Sequence, residues 1–120
     1  QNLNLLLAKA SMAAIIQDIE TEIETLKKII KINPITNVKS LLAQAYLRKN
    51  DGIVNEFIKK LIDEVLSEKP KDPGANFILA KYLNQNGNKN KSRNLLLKIL
   101  KTLDDKGPWH QIYKDELNIK

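Results

Sequence analysis

The sequence contains no cysteine. A disulfide framework, a thiolate nucleophile and a zinc-thiolate site are thereby excluded, and cysteine usage says nothing of the redox compartment. Glycine and proline are scarce, four of each in 120 residues, and they fall at a handful of places, as expected of long regular elements with short joints. The single histidine, His110, leaves no histidine pair at zinc-ligand spacing. Arginine is nearly missing: of 20 basic residues, all but Arg48 and Arg93 are lysine. No run of about 20 apolar residues occurs, so no segment reads as a membrane span. The most apolar stretch, Leu3 to Ile16, is interrupted by Asn4, Lys9 and Ser11. It has neither a charged leader nor a cleavage signature and is not expected to be a signal peptide. The start at Gln1 in place of Met reads as a cut from a longer chain, with any anchor outside it.

What remains is an ordinary globular composition, 42% hydrophobic and 28% charged with both signs mixed, long enough for one domain with its own core. The formal net charge of +6 raises the question of nucleic acid. Arginine does most of the forking onto bases and phosphates, and here the lysines are spread along a chain also rich in Asn and Ile. No nucleic-acid partner is expected; an acidic or weakly anionic protein suits the charge better.

Apolar spacing predicts helices throughout. Ile19, Ile23, Leu26 and Ile30 recur at helical intervals over Asp18–Ile32, with acids early and lysines late, an arrangement that suits the helix dipole. Leu3–Ala14 reads as another helix, and with no breaker between the two they are one helix or two. Asn33–Pro34 ends the segment, because the residue before proline avoids the helical region. The next helix is expected to begin at Thr36 or Asn37 as cap, and Lys49–Gly52 to form a turn with Gly52 at positive φ. Further helices are expected from Ile53, over Ala75–Leu83, over Ser92–Leu103, and from Trp109 through Ile112, Tyr113 and Leu117. That makes six or seven helices with short joints.

An internal repeat relates them. Residues 40–52 align with 77–88, setting Leu42 on Leu79, Ala43 on Ala80 and Tyr46 on Leu83 at a period of 37 residues. The pattern resembles the tetratricopeptide repeat: a Leu-small pair, an aromatic or Leu four residues on, a turn glycine, and a proline after the second helix. A weaker copy begins at Leu7–Ala8, without a turn glycine near residue 15. The resemblance implies an all-α fold, an α-solenoid of about three such hairpins with a C-terminal capping helix. Its boundaries are an N-terminal helix or hairpin over 1–34, repeats over 35–70 and 71–104, and a cap over 107–119.

No reaction chemistry emerges. His110 beside Trp109 reads as a surface or capping residue. Glu20, Glu22 and Glu24 alternate along a helix and cannot share a substrate. The basic stretch 86–93 follows no strand and is no phosphate loop. No catalytic residue, metal ligand or cofactor is expected; the chain reads as a binding module, not an enzyme.

In tetratricopeptide arrays the first helix of each hairpin lines a concave groove. Carried over by position, the resemblance implies a peptide-binding groove of Asn37, Ser40, Gln44, Leu47 and Arg48 in one unit and Phe77, Lys81, Asn84 and Gln85 in the next, extended to Leu5, Lys9 and Met12 in the first. Leu5, Met12, Leu47 and Phe77 would be its apolar anchors. The Lys/Asn carboxylate clamp of some family members is not reproduced, since Ser40 and Gln44 stand in its place. The lengthened turn over 48–73, followed by residues 75–103 and the joint of residues 104–117 with its Pro108–Trp109, is similar to the C-terminal periplasmic domain of the c-type cytochrome maturation factors of the CcmI/CycH family. That resemblance implies a periplasmic domain of a membrane-anchored bacterial protein, with the cytoplasm as the alternative. It implies a module that holds the C-terminal helix of apocytochrome c, with no membrane contact by this fragment itself. A generic scaffold that assembles a complex is the alternative. The oligomeric state cannot be read from the sequence.

Overall fold

A computed structural model describes residues 2–119. Among them are seven α-helices and no strand: α1 (Leu3–Ile15), α2 (Ile19–Ile32), α3 (Thr36–Lys49), α4 (Glu56–Glu68), α5 (Pro73–Gln85), α6 (Lys89–Leu100) and α7 (Pro108–Leu117). Each consecutive pair packs together, and in addition α3 lies against α5 and α5 against α7. None of the described helices is long and apolar enough to cross a membrane.

The one-or-two-helix question at the N-terminus is resolved by a break at Ile16–Asp18. Gln17 takes φ 61°, a left-handed conformation usually left to glycine or asparagine. Asp18 then caps α2: its carboxylate accepts from the Thr21 amide at 3.2 Å and the Thr21 hydroxyl at 2.7 Å. Those bonds favour the charged form and hold the Asp18 carboxyl below its ordinary value. The expected glycine turns form, with Gly52 at φ 82° and Gly87 at φ 84°.

Several helix starts differ from those expected. α3 has no side-chain cap and begins after Ile35, so that both candidate caps lie inside its first turn, where Thr36 donates to Glu68 and Asn37 accepts from Lys69. α4 begins at Glu56, not Ile53, since Asn55 caps it by accepting from the Ile58 amide at 2.8 Å. α5 begins two residues early, with Pro73 at its first turn and Asp72 accepting from the Ala75 amide at 2.9 Å. α6 spans Lys89–Leu100 in place of Ser92–Leu103.

Three apolar clusters form the core. Leu6, Ala10, Ile23, Leu26, Ile29, Val38, Leu42 and Ala45 join α1, α2 and α3. Leu47, Ile58, Ile62, Val65, Ala75 and Ile78 join α3, α4 and α5. Ala80, Leu96, Ile99, Tyr113 and Leu117 join α5, α6 and α7. The small residues expected at helix crossings, Ala43 and Ala80, are buried, as is Leu42. Leu79, expected to match Leu42, is only partly buried, and its neighbour Ile78 is the core residue.

Candidate polypeptide-binding surface

Most of the groove expected from the repeat register is occupied by the protein's own contacts. Ser40 is buried and donates to Asp72 at 2.8 Å, and Gln44 donates to the Ser40 hydroxyl at 3.2 Å. At this point α3 and α5 approach closely: a Cβ on Gly74 would stand 2.4 Å from the Gln44 amide nitrogen and 2.9 Å from the Ser40 oxygen. Gln85 is a brace, its amide donating to the Gly52 carbonyl at 2.7 Å and its oxygen accepting from the Val54 amide at 3.0 Å. Arg48 forks onto Glu22 at 3.1 and 2.6 Å.

Both anchors of the middle and last units are likewise committed to internal packing. Leu47 is buried in the α3–α4–α5 core and is not a surface anchor; the register that turned it outward was that of the repeat, and the packing against α4 turns it inward. Phe77 is half-buried in an aromatic cluster, with ring centroids 5.8 Å from Trp109 and 5.7 Å from Tyr113. Lys81 covers that ring at 5.0 Å and pairs with Glu116 at 3.4 Å. Asn37 and Asn84 remain at the surface. The position of α7 explains much of this: it lies along α5, where a ligand would have met Phe77 and Lys81.

Tyr113 fastens α7 there. Its hydroxyl donates to the Pro73 carbonyl at 2.6 Å, and burial, with the Asp72 charge adding to it, pushes the phenol above its ordinary value.

The N-terminal unit is different. Leu5, Lys9 and Met12 are all exposed, Leu5 by 69% and Met12 by 63%. They belong to a wider apolar face that the groove assignment did not include: Ile15 is 77% exposed and Ile16 68%. Leu5, Ala8, Met12 and Ile15 follow at intervals of three, four and three residues, a seam one side chain wide along the helix. The opposite side of α1 is also apolar, since Leu6, Ala10 and Ala13 are buried. α1 lies closest to α2, and a cleft of about 110 Å³ between it and α3 is edged by Leu7, Ala10, Ser11, Ala14, Leu26 and Leu41. The sequence signal for this face was present in part: Leu3–Ile16 is the most apolar stretch of the chain, with only Asn4, Lys9 and Ser11 interrupting it.

No family model matches the chain, and neither the curated proteins nor the solved structures hold a significant match to it.

Proposed function

We propose that this chain is a polypeptide-binding helical-repeat module of tetratricopeptide type, with hairpins α1–α2, α3–α4 and α5–α6 and with α7 as the cap. The observation that carries the reading is the outer face of α1, where Leu5, Met12, Ile15 and Ile16 stand in water. Single exposed apolar side chains are ordinary, but a contiguous apolar seam on one helix marks an interaction surface. Its residue spacing suits an amphipathic helix laid alongside, with anchors one turn apart. The module would hold that helix without acting on it chemically.

The resemblance to cytochrome-maturation factors supplies a client for this seam, the C-terminal helix of apocytochrome c, and with it a periplasmic setting. A fluorescein-labelled peptide of such a helix, titrated by anisotropy, tests both levels. Met12→Glu is expected to weaken binding by about 1–3 kcal/mol, because it places a charge among apolar anchors. Binding of an unrelated amphipathic helix with equal strength would remove the cytochrome client and keep the polypeptide-binding module. Binding untouched by Met12→Glu and Ile15→Glu together would remove the α1 seam.

A further inference from the structure

A second surface, distinct from the α1 seam, lies where α2 runs along α3. An open groove of about 560 Å³ is lined there by Leu42 of α3 and by Glu24, Lys27, Lys28, Ile30 and Lys31 of α2. Its floor is aliphatic and its rim cationic. One turn beyond Leu42, Tyr46 carries the surface across to α4: Lys27 Nζ sits 5.9 Å from the Tyr46 ring centroid, and Phe57 meets that ring edge-on at 5.0 Å. Phe57 is 53% exposed although it touches Tyr46.

The positive charges here outnumber the negative and are not held in ion pairs. Ion pairs among the described residues engage Lys39, Arg48, Lys49, Lys59 and Lys81, and none engages Lys27, Lys28 or Lys31. Lys27 and Lys31 are four residues apart and Lys28 and Lys31 three, so they crowd adjacent turns of one helix, where like charges repel. Glu24 is the only acid in the lining.

We propose that this groove binds an acidic amphipathic helix of a partner protein. One apolar side chain of the ligand enters over Leu42 and Ile30, a neighbour meets Phe57, and carboxylates one turn apart face Lys27, Lys28 and Lys31. A nucleic acid is a poorer occupant, because the rim holds lysine point charges with no arginine fork. A second copy of the chain would bring the same cationic rim against this one.

The test uses the whole chain and three labelled probes: a leucine–glutamate helical peptide, its leucine–lysine counterpart and a single-stranded oligonucleotide. The glutamate peptide is expected to bind at least about tenfold more tightly than the lysine peptide, with affinity falling as salt is raised. The double reversal Lys27→Glu/Lys31→Glu is expected to weaken it about tenfold. Lys98→Glu/Lys101→Glu, which changes the net charge equally on exposed residues at the end of α6, is expected to leave it unchanged. Lys27→Gln/Lys31→Gln, without the added acids, should give an intermediate loss and serves if the reversal impairs folding. Equal losses in the two double reversals, preference for the oligonucleotide, or loss through Met12→Glu in place of the lysine variants would each overturn the proposal. The last outcome would leave the α1 seam standing, so failure here and failure of the α1 reading are distinguishable.

Discussion

Arg48 reaches back from the end of α3 to hold Glu22 of α2 with two hydrogen bonds, 3.1 and 2.6 Å long. The carboxylate side chain is 7% exposed and the guanidinium side 50%, so the bond's main effect is to satisfy a buried charge. Removing Arg48 leaves that charge unpaired, a cost of the order of a charged group's lost partner. Arg48→Ala is expected to lower stability by about 2 kcal/mol in urea unfolding. Lys49→Ala, which breaks the solvent-exposed pair with Glu20, should cost under about 1 kcal/mol.

Burial of the Tyr113 phenol, with the Asp72 charge beside it, predicts a response to alkali. The folded state holds the phenol proton more tightly than the unfolded chain does. This contribution is therefore fully present below the unfolded tyrosine value of about 10 and is lost as pH rises above it. Thermal unfolding followed from neutral pH to about pH 11 is expected to show a steeper alkaline decline in the parent than in Tyr113→Phe. At neutral pH the same variant should be less stable by about 1 kcal/mol, the usual net value of one hydrogen bond.

Gln17 sits in the left-handed region without an asparagine's or glycine's tolerance for it. Gln17→Gly is expected to raise stability by up to about 1 kcal/mol, since the native conformation then costs less than the added freedom of the unfolded chain. Gln17→Val should lower it. Urea midpoints at constant m-value decide the matter. A loss of stability in the glycine variant would mean that α1 and α2 do not break at this position.

The core register predicts an inversion of the expectation from the repeat alignment. Ile78→Ala, at a position 1% exposed, is expected to cost about 2–5 kcal/mol as a buried truncation. Leu79→Ala, at a partly buried position, should cost less than Ile78→Ala. Gly74→Leu should cost about 1–3 kcal/mol by overpacking the α3–α5 crossing against Ser40 and Gln44.

The helical content, the turns at Gly52 and Gly87, and the burial of the small residues Ala43 and Ala80 were all legible in the order of residues. They depend on local conformational preference and on a period of 3.6, and both are written along the chain. Helix starts were less legible. Asp18, Asn55 and Asp72 each bond an amide three residues on, but Thr36 and Asn37, equally good caps by type, lie inside α3 and bond Glu68 and Lys69 across 32 residues of chain. A side chain's choice between its own helix and a distant partner is not local information.

The same reason governs the surfaces. Sequence alone determined that this protein is helical and that Leu3–Ile16 is its most apolar stretch. It also determined that the chain carries an excess of lysine. Only the tertiary structure decided which of those features faces water. Packing of α7 on α5 covered Phe77 and engaged Lys81, and packing of α4 on α3 buried Leu47. The outer seam of α1 and the lysine-rimmed groove over Leu42 stayed open. Exposure is a property of the neighbours a residue acquires on folding, and those neighbours come from tens of residues away.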